Sequence, residues 1–325
     1  MTSETRKNRW QLLLAFGVVY LVWGSTYLGI RYAVATIPPL LMAGSRFLVA
    51  GGVLFAISLA RTKARPKWIH WRTALILGFL LLFCGNGSVT SAEQWIPSGM
   101  AALLVSSEPL WIVVLNWLRP GGKAPTTRES AGVLLGFGGV ALLLAPQFTA
   151  AGTGVAGKAA LWASLLVVGA ALAWAAGSLY GIGAQAVQHQ PMANGMTMML
   201  GGALMLAAGL GSGEAAGFDL HRVSASSMVA WAYLVLFGSL AAFSAYVFLM
   251  QNATPAKAST YAFVNPVVAV LLGWGVAGEE MDVRSVAAIV IIVGAVMMLT
   301  LDRSRKTAAN ETEDERMSEK LLTQE

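Results

Sequence analysis

Charge is scarce in this chain. Only 12% of its 325 residues are Asp, Glu, Lys or Arg, against 56% hydrophobic residues, whereas a water-soluble domain carries about a quarter charged. That shortage excludes an ordinary water-facing surface. Cysteine is nearly missing too: Cys84 is the single one, which rules out an intramolecular disulfide and makes a thiolate metal site a poor reading. The three histidines, His70, His189 and His221, all stand in segments that read as loops. Neither GxSxG nor HExxH occurs, so hydrolase chemistry has no footing and no metal or other cofactor is expected. The stretch Gly152 to Ala159 matches GxGxxG and misses the phosphate-binding GxxxxGK[ST] loop at Ala159. It follows an apolar segment and has no acidic residue about 20 positions on, so it reads as a linker.

Apolar length is what the chain does have. A helix rising about 1.5 Å per residue needs about 20 apolar residues to cross a hydrocarbon core roughly 30 Å thick. Runs of that kind recur at Leu12 to Val34, Leu40 to Ala60, Thr73 to Ala92, Ser98 to Leu118 and Ser130 to Pro146. They recur again at Ala159 to Ile182, Met192 to Leu210, Ser227 to Met250, Ala258 to Ala277 and Val283 to Leu301. The runs lack period-2 alternation, which favours helices over a β-barrel. The basic start before Leu12 and the Ala33-Val34-Ala35 triplet imitate a cleavable leader, but the first apolar run is longer than a leader needs and nine more spans follow.

Lys and Arg near span ends stay cytoplasmic. Of the 22 basic residues, seventeen fall on the face that carries the N-terminus and only Lys158, Arg222 and Arg284 on the other, with Arg31 and Arg46 inside spans. Both termini are therefore expected in the cytoplasm. The net charge of +6 is this topology signal; with no basic helix or stripe, nucleic acid is not an expected partner. The mixed-charge tail 302–325 reads as disordered.

Dividing the chain at the Gly-rich linker 147–158 leaves halves 1–146 and 159–301 with five spans each. Shifted by 157 residues, Gln94, Ala101, Pro109, Val113, Leu115 and Trp117 fall on identical residues at 251, 258, 266, 270, 272 and 274. Gly24-Ser25-Thr26-Tyr27 likewise matches Gly177-Ser178-Leu179-Tyr180. An odd number of crossings per half makes the repeat inverted, a frequent device of carriers that open alternately to either side. The expected fold is an all-α membrane protein of ten transmembrane helices in two inverted five-helix repeats.

Polar groups inside the spans mark the candidate site, because a charge near the bilayer centre costs about 2.5 to 3.5 kcal/mol on insertion scales. Arg31 and Glu93 stand near helix ends and read as structural groups reaching the interface. Arg46, Asn86 and Glu108 lie deeper at comparable depth, Arg46 and Glu108 close enough to approach each other; the alternative is a buried cluster that only holds helices together. Glu108-Pro109 and its repeat counterpart Asn265-Pro266 each place a polar residue before a mid-span proline. Proline frees the carbonyl four residues back, here of Val105 and Ala262, and such interruptions point to a binding site. Trp23, Tyr27, Trp111, Trp174, Tyr180, Tyr246 and Tyr261 are aromatics that wall such a cavity or simply pack between helices. Trp10, Trp68, Trp71, Trp95, Trp162 and Trp231 fall near span ends as interfacial anchors. Gly132 with Gly136 and Gly177 with Gly181 read as close helix contacts.

Several of these pieces together resemble the EamA family of the drug/metabolite transporter superfamily, in its bacterial inner-membrane branch. They are Trp23-Gly24-Ser25-Thr26-Tyr27, Ala43 to Phe47, Gly85-Asn86-Gly87 through Glu93 to Gly99, and Ser259 to Leu272 with Gly278-Glu279. The resemblance implies a ten-helix, two-repeat carrier of small metabolites, often an exporter of amino acids or related compounds, held in the bacterial inner membrane. Pro120-Gly121-Gly122-Lys123 stands where many members have a second Gly-Glu pair, and Glu108 is read from its depth rather than from the family. The expected substrate is neutral, zwitterionic or cationic, since anion sites want paired cations in the core; protons are the coupling partner considered, with Glu108 as their carrier. A passive channel and an intramembrane enzyme are the alternatives. The first would need a continuous polar lining and the second a nucleophile with a base at one depth.

Overall fold

The computed structural model describes residues 3–63, 65–122, 124–150, 154–253 and 260–299. Among them the secondary structure is helical, without strands. Eight helices are long and apolar enough to cross a membrane: α1 (Trp10–Ala33), α2 (Pro39–Arg61), α3 (Trp68–Ala92), α4 (Ser98–Leu118), α5 (Thr127–Thr149), α6 (Val155–Gly183), α7 (Gln190–Gly211) and α8 (Ala225–Leu249). Two shorter apolar helices follow, α9 (Tyr261–Ala277) and α10 (Val283–Leu299). The expected tail 302–325 lies outside the described residues, as do the ends of the ninth and tenth apolar runs at 258–259 and 300–301.

Helix ends outrun the apolar runs wherever local chemistry supports them. Thr126 and Glu129 close a reciprocal cap, Thr126 N–H donating to Glu129 Oε2 at 2.8 Å and Glu129 N–H to Thr126 Oγ1 at 3.3 Å, so α5 starts at Thr127 rather than Ser130. At its other end α5 passes through Pro146 to Thr149, because one proline removes a single donor without forbidding the next turn. The 147–158 linker is thus mostly helical at its ends, with residues 151–153 outside the described set.

Three helices widen locally to i→i+5 turns: α1 at Val19–Trp23, α3 at Gly78–Gly87 and α8 at Leu234–Ala241. Such bulges release backbone carbonyls and recur at functional sites.

The centre of the bundle is the antiparallel pair α2 and α7. A Cβ at Gly44 would lie 2.9 Å from Gly202 O, and one at Gly51 would lie 2.7 Å from both Gly195 O and Met199 N. Backbones this close are possible only without side chains between them. α3 joins on the same principle, where a Cβ at Gly78 would meet Gly201 N at 2.8 Å. Around this centre α1 packs on α8 and α9, α3 on α6, α4 on α6 and α9, and α5 on α6. The expected close helix contacts at Gly132, Gly136 and Gly177 are present as well, made to the leucine side chains Leu299, Leu110 and Leu81 of neighbouring helices.

Trp10, Trp68, Trp95 and Trp162 are exposed at 65%, 81%, 57% and 70%, as interfacial anchors are. Trp231 departs from that reading: its Nε1 donates to Ser45 Oγ at 3.0 Å, between α8 and α2. Trp71 leans on Phe55 with ring centroids 5.6 Å apart. An indole N–H that finds an acceptor inside the bundle has no need of the interface.

Candidate functional site

α4 is broken near its middle. Ser106 and Ser107 form a turn between helical segments Ser98–Val105 and Glu108–Leu118. Their hydroxyls donate back to Leu103 O and Leu104 O, each at 2.6 Å, competing for carbonyls that the helix would use, while Pro109 withholds its own donor. α9 differs: it runs unbroken through Pro266 from Tyr261 to Ala277. The counterparts of the two serines are Phe263 and Val264, which have no hydroxyl to draw the backbone out of the helix. Only one of the two expected interruptions is therefore present.

The break presents Glu108, which faces α6. Its Oε1 accepts from Ser178 Oγ at 3.1 Å, and among the described residues no Lys or Arg forms an ion pair with it. The hydroxyls of Tyr27, Tyr246 and Tyr261 lie within electrostatic reach of Glu108. Trp23, Tyr246 and Tyr261 form a mutually packed trio, with centroids 5.2, 5.2 and 5.6 Å apart. Each of these residues is half-buried.

Arg46 does not join Glu108. Buried to 5% exposure, its Nε donates to Ser239 Oγ at 2.9 Å and its guanidinium lies 4.6 Å from the Phe47 ring centroid. The wide turn of α8 that carries Ser239 also offers Gly238 O to Trp23 Nε1 at 3.2 Å. On helix α3, the Trp174 ring covers Gly85, beside Asn86. Asn265 is buried with its Oδ1 unpartnered, and Gly24 lets α1 approach it closely, a Cβ there falling 3.2 Å from Asn265 O. Pro266 is buried beside it, and Pro109 is half-buried. Asn265 and Glu108 are thus on packed helices but make no hydrogen bond to each other. Tyr180 stands apart from the group. It is in the last turn of α6, in a cleft with Arg72 and Arg119.

Two acidic residues, Glu279 and Glu214, hold helix starts on the face opposite the N-terminus. Gly278 takes the left-handed φ of 66° that ends α9 and lets Glu279 N–H reach Gly273 O at 2.9 Å. This turn aims the Glu279 carboxylate at the start of α4. It accepts from Ser98 N at 2.8 Å, Ser98 Oγ at 2.7 Å, Gly99 N at 3.0 Å and Arg31 Nη1 at 2.5 Å. Glu214 does the same for α2, accepting from Leu40 N and Leu41 N at 3.0 Å each. Glu93 lies 4% exposed with both carboxyl oxygens unpartnered, on the wall of a 510 Å³ cavity shared with Arg31. It does not reach the interface as expected, because the chain turns directly after it toward Pro97 and covers it.

Glu279→Gln is expected to lower stability by about 2 kcal/mol, since it strands Arg31 and weakens the cap on α4; Arg31, with its side chain 40% exposed, keeps the cost from being larger. Thermal unfolding in detergent, with Glu280→Gln as the exposed control, measures it.

Apolar helices of spanning length, packed around a carboxylate at a broken helix, make up a multi-pass membrane protein. The chain belongs to the EamA-like transporter family, whose sequence profile matches residues 9–145 and again 161–301. It is 39% identical over 298 residues to the uncharacterized inner membrane transporter YedA of Escherichia coli, covering 90% of this chain and 92% of that one. It is 25% identical to the uncharacterized transporter YvbV of Bacillus subtilis, covering 94% and 97%. A solved crystal structure matches with a TM-score of 0.59 at 22% identity, over 90% of this chain and 98% of that one; at that distance the likeness concerns the fold. The inner membrane is the location that the name of the Escherichia coli relative gives; in this chain the eight spanning-length apolar helices make a multi-pass membrane protein.

The sequence missed Ser178 as the partner of Glu108 and the Gly238-Ser239 turn as the dock for Trp23 and Arg46. A signal for Ser178 was at hand, since the repeat aligns it with Ser25.

Proposed function

We propose that the protein is a secondary carrier that exports small neutral, zwitterionic or cationic metabolites, such as amino acids or drug-like compounds, by alternating access around Glu108. In this reading its ten helices form two inverted repeats, both termini are cytoplasmic, and protons exchanged at Glu108 drive the cycle. The observation that carries it is Glu108 itself: a carboxylate at mid-span, at a helix break, held among the described residues by one hydroxyl and by no cation. A purely structural carboxylate would be expected to have a cation or several donors around it, as Glu279 does at a helix end.

Exchange symmetry in the packing supports the inverted repeat. Swapping the first five helices for the last five turns α1–α8 into α6–α3, α1–α9 into α6–α4 and α2–α8 into α7–α3, all of which are in contact. Details follow the same exchange. Trp23 of α1 bonds to Gly238 in the wide turn of α8, and Trp174 of α6 lies on Gly85 in the wide turn of α3. Gly44 and Gly51 on α2 meet Gly202 and Gly195 on α7, spaced by seven residues in both helices. Equivalent halves supply the two equivalent closures that alternating access requires.

A thermal-shift screen of amines, amino acids and neutral metabolites, followed by counterflow in liposomes, tests the carrier. Labelled solute should accumulate transiently against preloaded unlabelled solute. Simple equilibration without overshoot would instead establish a channel.

A further inference from the structure

A cleft of 520 Å³ opens on the N-terminal face where the start of α3 meets the ends of α4 and α6. Arg72 from α3 and Arg119 after α4 both line it, and neither forms a salt bridge among the described residues. Thr73 lies at its wall, only 3% exposed, and makes no hydrogen bond within the described chain although a helical threonine usually bonds the carbonyl four back. Tyr180 and Gln185 complete the polar lining. The set is rich in donors: two guanidiniums, two hydroxyls and an amide, with no carboxylate. Guanidinium pairs match the tetrahedral oxygens of phosphate, the hydroxyls and the amide can turn donors toward it, and no carboxylate is present to repel it.

The surroundings select the source of that phosphate. Ile182, 79% exposed, borders the cleft, and Trp68, 81% exposed, stands just before it on the first turn of α3. These apolar surfaces suit acyl chains and the headgroup boundary better than water. The cleft also lies on the face that holds most of the basic residues, where anionic lipid is attracted to helix ends.

We propose that this cleft binds the phosphate of an anionic glycerophospholipid, with Arg72 and Arg119 clamping the headgroup between the ends of α3, α4 and α6 and the acyl chains lying along Ile182. Tyr180, which the sequence placed in the transport cavity, serves this site instead. The site is independent of the transported solute.

Native mass spectrometry of the purified full chain, titrated with phosphatidylglycerol or phosphatidylcholine, tests it. Wild type should prefer phosphatidylglycerol by roughly tenfold or more, the order that two interfacial arginines supply. Arg72→Gln with Arg119→Gln should abolish the preference, and Thr73→Val should weaken it while leaving the bundle folded. Arg61→Gln, a cationic residue on the same face outside the cleft, should keep it. An undiminished preference in the double variant, an equal loss in Arg61→Gln, or displacement of the lipid by inorganic phosphate at equal concentration would overturn the proposal.

Discussion

Glu108→Gln is expected to abolish gradient-driven transport while leaving the protein folded. The amide has the size of the carboxylic acid and still accepts from Ser178 Oγ, 3.1 Å away in the wild type, so the packing of α4 on α6 is kept. What it loses is the ability to take up and release a proton, and any attraction for a cationic solute. Removing one side of a buried charged contact costs about 2–5 kcal/mol, and each 1.4 kcal/mol is a factor of about ten. Uptake driven by a proton gradient should therefore fall by roughly thirtyfold or more, and its pH dependence should flatten. Ser178→Ala, which removes the partner and spares the carboxyl group, should reduce transport far less. Proteoliposome flux with an imposed pH step reads both. If Glu108→Gln transports with an unchanged pH profile, the carboxylate has no coupling role.

The largest effect on folding is expected from one of two adjacent glycines and not from its neighbour. At Gly51 an added Cβ meets Gly195 O and Met199 N at 2.7 Å, whereas at Gly52 it meets nothing within 4 Å. The first contact is with the backbone of α7 and cannot be relieved by a rotamer change. Gly51→Leu must push α2 and α7 apart, which costs more than about 3 kcal/mol when a well-packed centre has no slack. Gly52→Leu points away from α7 and should be tolerated. Expression in the membrane fraction and thermal unfolding in detergent should separate the two variants clearly, with Gly51→Leu failing to give a monodisperse peak. Equal behaviour of the pair would contradict the close approach at the bundle centre.

These glycines also show what the sequence revealed and what it hid. Apolar run length depends on composition alone, so every helix from α1 to α10 could be located, with errors at ends such as Thr127 and Thr149 that depend on local caps and on a tolerated proline. Close backbone approach depends on which face of a helix meets which neighbour. Gly132 and Gly177 stood out because a second glycine follows at four residues, yet the backbone-to-backbone approach of α2 and α7 uses glycines seven apart on two different helices, a pattern visible only once α2 and α7 are paired.

The candidate site was legible to a similar extent. Glu108 and the aromatics Trp23, Tyr246 and Tyr261 share a region, because depth along a helix follows from counting residues. Arg46 was placed at the right depth but assigned the wrong partner, since rotation about the helix axis turns it to Ser239 on α8. Tyr180 was grouped with aromatics that wall a cavity or pack between helices, and its place in the last turn of α6 sets it apart from them. The break at Ser106-Ser107 could be read from proline and serine together, whereas proline alone did not break α9.

Alternating access around Glu108 is tested most directly by the accessibility of the position beside it. With the single cysteine replaced by Cys84→Ser, a Ser178→Cys variant places a thiol next to the carboxylate, and a membrane-impermeant thiol reagent can be applied from either side of sealed vesicles. The predicted result is labelling from both sides at separate rates, with a transported solute raising one rate as it lowers the other. Simultaneous labelling from both sides that no solute shifts, or labelling from one side only under all conditions, would contradict it.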